Sequence, residues 1–222
     1  MTPPPTLSPA EVAVSQVTVL DDDPIAGLQL AALRDASTTP EHFRHHARRL
    51  GSILALRAVR DLPHTEGTVE TPLATAPTVG PGRQIVAVPV LRAGLGLLGG
   101  LHDVLPTALV GMIGLERDHA THQARRYYFR IPPLDGAWVL VLEPMLATGG
   151  SASDAVAALD AEGAEQVTVL SVVATRTGVD RILADNPRVR IVTAAIDPEL
   201  DDNAYIVPGL GDFGDRLFGT PH

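Results

Sequence analysis

The sequence predicts an α/β fold built on a parallel sheet. Two observations predict it. Apolar runs of strand length, rich in β-branched residues, recur at Ile85–Val90, Leu109–Leu115, Trp138–Leu142, Thr168–Ala174 and Val189–Ala195. Segments with helical apolar spacing separate most of them. Strands that alternate with helices give parallel connections. The length of 222 residues suits one such domain with an ample core.

In chain order, residues 1–12 are Pro-rich and expected to be mobile. Residues 1–20 read as an N-terminal extension and 21–222 as a single domain, although Val12–Leu20 could form a short strand. Asp21-Asp22-Asp23-Pro24 starts a helix carrying Ile25, Leu28, Leu30, Ala32 and Leu33. Thr38-Thr39-Pro40-Glu41 starts a second, running to about Arg60, with Phe43, Ala47, Leu50, Ile53, Leu54 and Leu56 on or near one stripe. His42 and His46 have zinc-ligand spacing there, but no second motif accompanies them, so a solvated helix face is the preferred reading. An extended segment is expected near Thr68–Thr75, with a turn at Gly80-Pro81-Gly82. Ala124–Arg130 alternates charge and aromatics and reads as an arm, a hairpin or a dimer contact. Thr177–Asn186 reads as a helix, and residues 196–215 as a long glycine-dense loop of the kind that carries function.

Composition excludes several functions. There is no Cys, hence no disulfide framework, thiolate nucleophile or Cys-based zinc site. The formal net charge is −9 and all 17 basic residues are Arg, without a basic block, so no nucleic-acid partner is expected. The N-terminus lacks the pattern of a secretory signal, and no apolar run is long enough to span a bilayer. A soluble cytoplasmic protein with no membrane partner is expected.

The chemistry centres on Val139–Ser151. An apolar strand runs into Glu143, then into the small-residue turn Ala147-Thr148-Gly149-Gly150-Ser151, then into a helix with Ala155, Val156, Ala158 and Leu159 on one face. Glycines let backbone N–H groups converge on a phosphate, and the helix N-terminus adds its positive dipole end. No Lys follows, so this is not a P-loop. A carboxylate beside such a loop suits a ribose phosphate; the alternative is a plain strand-to-helix turn. Arg92, between the strand Ile85–Val90 and Ala93-Gly94-Leu95-Gly96, is either a surface residue on a turn or an anion clamp.

Four stretches together resemble the uracil phosphoribosyltransferase family of type I phosphoribosyltransferases: Val88–Gly96, Gly114–Arg117, Glu143–Ser151, and Tyr205–Asp215 continuing through Phe218-Gly219-Thr220. The last is the most specific, being similar to a uracil-binding loop. The resemblance implies a central parallel β-sheet flanked by helices, with a β-arm and a C-terminal base-binding loop. It implies conversion of uracil and 5-phosphoribosyl 1-diphosphate to UMP and diphosphate, with Mg²⁺ held mainly by the phosphoribosyl donor. It assigns Arg92, Arg117 and Asp212 to catalysis. The same three, with Glu143, Pro144, Met145, Leu146, Ala147, Thr148, Gly149, Gly150 and Ser151, are expected to bind the donor. Tyr205, Ile206, Gly211, Asp212 and Phe213 are expected at uracil. It also brings GTP as an effector and a homodimer or higher homo-oligomer as the assembly. Three features depart from the family pattern: Glu143 stands where Asp is usual, Gly99 where an acidic residue is usual, and residues 118–126 keep little of the usual arm character. The competing functions are a catalytically weak, nucleotide-binding regulator and a phosphoribosyltransferase for another base.

Overall fold

The computed structural model describes residues 16–117 and 124–220. The N-terminal half contains β1 (Val17–Val19), α1 (Pro24–Arg34), α2 (Pro40–Ala58), β2 (His64–Glu70), β3 (Thr75–Pro81), β4 (Ile85–Leu91) and α3 (Leu95–Val104). There follow β5 (Leu109–Val110), β6 (Met112–Arg117), β7 (Ala124–Arg130), β8 (Trp138–Leu142), β9 (Met145–Leu146) and α4 (Gly150–Ala161). The chain then forms β10 (Gln166–Thr175), α5 (Arg176–Asp185), β11 (Arg190–Asp197), β12 (Glu199–Leu200), β13 (Ile206–Val207) and α6 (Phe213–Phe218). No helix among the described residues is long and apolar enough to cross a membrane.

The main sheet has the order β1-β11-β10-β8-β4-β6-β7, with β5 paired to β4 and β9 to β10. All its pairings are parallel except β6 with β7. Strand β4 is buried up to Val90, and β8 throughout. Their side chains alternate between two cores. Ile85 and Ala87 join α1, α2 and α3 through Leu33, Phe43, Leu54 and Leu97. Val86, Val88 and Val90 join α4 and α5 through Val156, Leu159, Val179 and Ile182.

Both early helices begin as their sequences predict. Asp23 Oδ1 accepts from the N–H groups of Ile25 and Ala26, at 2.8 and 3.0 Å, with Pro24 in the first turn. Thr39 caps α2 in the same way, with Pro40 next. His42 and His45 are exposed, while His46 Nδ1 pairs with the buried Gln29 Oε1 at 2.9 Å.

Four expectations need correction. The extended segment near Thr68–Thr75 is instead an antiparallel hairpin of β2 and β3, and its turn falls at 71–74. Thr71 Oγ1 makes that turn by accepting from the N–H groups of Leu73 and Ala74. Gly80 lies inside β3. The strand expected over Leu109–Leu115 breaks at Gly111, whose N–H donates to Ala87 O, so β5 and β6 pair with different parts of β4. Residues 196–215 are not one loop, since β12 pairs with β13 and α6 begins at Phe213. Within the stretch read as an extension, Val17–Val19 pair with β11 and Leu20 is buried. Residues 1–15 lie outside the described residues.

Helices α2 and α3 pack at backbone contact. A Cβ on Gly100 would sit 1.8 Å from Arg48 O. Beside it, Gly99 faces the Arg48 side chain at 3.7 Å. Arg48 pairs with Asp103, with Nε–Oδ2 at 2.7 Å and Nη2–Oδ1 at 2.5 Å. An acid one turn further along α3 thus meets the arginine that Gly99 leaves without one. In an exposed helix, Gly→Ala stabilises. Gly100→Ala should instead lower stability by about 1–3 kcal/mol through overpacking. Its urea midpoint should fall, and an unchanged or raised midpoint would contradict this packing.

Candidate active site

Strands β4 and β8 are neighbours, in register from Ile85 opposite Trp138 to Pro89 opposite Leu142. Beyond β4 the chain crosses to β5 and β6 on one side, while beyond β8 it crosses to β10 on the other. This is a topological switch point, and a crevice opens at the carboxyl ends of the two strands. Arg92 follows the first strand and Glu143 the second.

Arg92 is 55% exposed at its side chain. The Leu91–Arg92 peptide is cis. The guanidinium donates through Nη2 to Asp215 Oδ1 at 3.2 Å and lies 5.6 Å from the Phe218 ring centroid. No local pattern in the sequence points to this acceptor, 123 positions away. Asp215 also accepts from Thr220 Oγ1 at 2.5 Å, while its N–H donates to Asp212 Oδ1 at 2.8 Å. The loop after β4 is therefore joined to α6.

Glu143 is 9% exposed. Burial pushes its carboxyl up to about 8, against a smaller downward pull from a backbone hydrogen bond at Met145. Below that pH it is a neutral acid and can donate one hydrogen bond. Beyond it, Pro144 O accepts from Val172 N and Val173 N at 2.9 and 3.1 Å, and from Ser171 Oγ at 3.0 Å. Leu146 is buried in the core. Pro144 and Leu146 thus anchor the loop instead of facing the crevice. Thr175 Oγ1 fastens it further by donating to Ala147 O at 2.6 Å. Gly149, at φ +76°, precedes α4, whose first N–H groups receive no side-chain cap from it. Thr148 and Gly150 are partly exposed and Ser151 is exposed. Together these groups form an open helix N-terminus suited to an anion.

Between this loop and the C-terminal segment lies a cavity of about 270 Å³. Met145, Ala147 and Thr148 line one side; Tyr205, Ile206, Gly211, Asp212 and Phe213 line the other. All five residues expected at uracil are brought together there. Asn203 and Ala204 also line it and were not foreseen. Ala204 holds φ +64°, and an Asx-type turn at Asp201 surrounds it, with Asp201 Oδ1 accepting from the N–H groups of Asn203 and Tyr205. The sequence signal was Asp201-Asp202-Asn203, a run of turn formers before the aromatic. Phe213 is 1% exposed and meets Phe43 edge-on, with centroids 5.0 Å apart. Tyr205 is 40% exposed.

Arg117 ends β6, opposite Ala124. Its side chain, and the arm residues 118–123, lie outside the described residues. A larger cavity of about 380 Å³ lies at the foot of the β2–β3 hairpin and includes none of the expected site residues.

The buried carboxyl of Glu143 sets a pH dependence. Its ordinary value is about 4.5 and its folded value about 8. Between these, the folded protein holds a proton that the unfolded chain has released. The stabilisation is fully present below about pH 4.5 and is lost as pH rises through about 8. The slope from this one group approaches about 1.4 kcal/mol per pH unit. Glu143→Gln should flatten urea stability between pH 5 and 8 relative to the parent, and identical slopes would refute the assignment.

Comparison with known proteins follows this geometry. A family model described as uracil phosphoribosyltransferase matches residues 19–220. The uracil phosphoribosyltransferase of Thermus thermophilus is 44% identical over 203 residues, spanning 90% of this chain and 98% of that protein. That of Oceanobacillus iheyensis is 42% identical over 201 residues, spanning 90% and 96%. The solved structure of the AQ2163 protein from Aquifex aeolicus superposes with a TM-score of 0.87 at 34% identity, covering 92% of this chain and 98% of that one. With every strand after β1 and all four motif stretches inside the match, the chain belongs to the uracil phosphoribosyltransferase family.

Proposed function

We propose that this chain transfers the phosphoribosyl group of 5-phosphoribosyl 1-diphosphate to uracil, giving UMP and diphosphate. The observation that carries this reading is the cavity between the loop after β8 and the 205–213 segment, with the Arg92 loop at the end of the neighbouring strand joined to α6 through Asp215. The N-terminus of α4 and the N–H groups of Thr148–Ser151 suit the 5′-phosphate. Glu143 suits the ribose hydroxyls. Arg92 and Arg117 suit the diphosphate. As the anomeric C–O bond breaks, negative charge grows on diphosphate and positive charge on the ribose. Fixed guanidinium groups at the leaving oxygens lower that barrier, and the two loops align uracil N1 with the anomeric carbon. Asp212 caps α6 and borders the cavity, where it reaches both substrates in this reading.

In this reading the metal ion arrives on the phosphoribosyl donor. Among the described residues, no group of three or more His, Cys, Asp or Glu side chains could hold an ion. Mg²⁺ bound to diphosphate and ribose oxygens would supply charge neutralisation. Exposed Val69, Leu73 and Val79 on the β2–β3 hairpin support a homo-oligomer, which we place in the cytoplasm with residues 16–220 as one domain.

Uracil presents acceptor, donor and acceptor along O2, N3–H and O4. Backbone groups at Ile206, Gly211 and Phe213 can match that order, while cytosine reverses two of the pairings. A buried group left unpaired costs about 1–3 kcal/mol. In competition at matched concentrations, UMP should exceed CMP by at least about a hundredfold. Comparable yields would refute backbone recognition. Arg92→Ala should stay folded and lose about 10²–10³ in turnover. Arg92→Lys should recover little, because the planar fork is gone. Turnover near the parent in a folded Arg92→Ala protein would sink the assignment.

A further inference from the structure

We infer that Arg34 and Asp197 are positioning residues for base recognition, holding the cavity-lining loop in register through Gly209. This rests on the reading that residues 205–213 receive uracil.

Asp197 ends β11 and is 4% exposed. It takes the full fork of Arg34, with Nη2–Oδ1 at 2.6 Å and Nη1–Oδ2 at 2.8 Å. Oδ2 also accepts from Gly209 N–H at 2.9 Å, and Arg34 Nη1 donates to Gly209 O at 2.8 Å. Both backbone groups of Gly209 are therefore gripped by one ion pair. Gly209 holds φ +55°, and a Cβ there would meet Ile206 O at 2.0 Å, so the turn is closed tightly on Ile206. Ile206 on one side and Gly211 on the other line the cavity. Burial alone would push the Asp197 carboxyl up. The Arg34 hydrogen bonds, the Gly209 N–H and the Arg34 charge outweigh it and hold the carboxyl below its ordinary value.

A second arginine ties the same loop to the same helix end. Arg216 donates to Leu33 O, to Leu210 O at 2.8 Å and to Asp35 O at 2.5 Å, and stacks 4.6 Å from the Phe43 centroid. The last carbonyls of a helix lack intrahelical donors. The end of α1 supplies acceptors and Arg34, and the loop supplies the matching groups. None of these contacts involves a residue assigned to substrate. A loop that reads a base through its backbone has no flexible side chain to absorb a shift. Its register must come from such anchors.

The test is steady-state kinetics on Arg34→Lys, which keeps the charge and loses the fork, and on Asp197→Asn. The KM for uracil should rise about tenfold or more, with the donor KM and kcat at saturating uracil within about twofold. An unchanged uracil KM, or equal rises in both KM values, overturns the inference, since a merely structural defect lowers active protein without that split. If neither variant folds, amide exchange on the parent protein decides. Gly209 N–H should be strongly protected without ligand, and exchange as fast as at Gly211 overturns the inference. A parent protein that forms no UMP defeats the functional reading itself, a result distinct from failure of the kinetic split.

Discussion

The adjacency of β4 and β8 is the constraint on which the rest depends. Each is apolar on both faces over the paired stretch, so neither can lie at an open, solvated surface. Parallel neighbours cannot be joined by a tight turn, so each strand must leave through a crossover. The two crossovers run in opposite directions across the sheet. Because such connections keep one hand, α3 and α4 fall on opposite faces. The crevice between the loops is a by-product of that geometry. It puts the loops that carry Arg92 and Glu143 at the ends of neighbouring strands although they are far apart in the chain.

That position sets the electrostatics. Glu143 follows a strand buried on both faces and pays for it by keeping its proton up to about pH 8. Arg92 sits at the rim, where solvent and Asp215 both reach it. The acid is held neutral, and the guanidinium stands beside a carboxylate on α6. An anionic ligand would compete with Asp215 for the guanidinium, so the C-terminal helix is linked to events at the loop after β4.

The sequence shows the strands and the phosphate-loop geometry because these are local. A run such as Ile85–Val90 or Trp138–Leu142 declares burial on both faces, and Asp23-Pro24 and Thr39-Pro40 declare helix starts through caps that act within a few residues. The β2–β3 hairpin was missed for a physical reason. Both strands are exposed, with turn-forming residues inside them, so no apolar alternation marks them. The anchors of the base loop were missed for another. Arg34 pairs with Asp197 across 163 positions and with Gly209 across 175, and no local pattern signals such a contact. Asp215 as the partner of Arg92 is likewise a tertiary fact. The cavity residues expected from Tyr205 to Phe213 were legible only through their likeness to a family motif, since a glycine-dense segment names no partner by itself.

In the proposed reading, stability and recognition share the same atoms of the 205–213 segment. Ile206, Leu210, Phe213 and Leu217 are buried among α1, α2 and the sheet. Phe213 packs on Phe43 while its residue also borders the cavity. Side chains directed into the core leave the main chain as the surface offered to a ligand. The backbone positions proposed to read the base are then fixed by apolar packing beneath them and by the ion pair at Gly209 beside them. Enlarging or trimming one of these side chains would move donors and acceptors together. In the proposed reading, a change at Ile206 or Phe213 disturbs the core as well as the base site, and selectivity is a property of how well the loop is held.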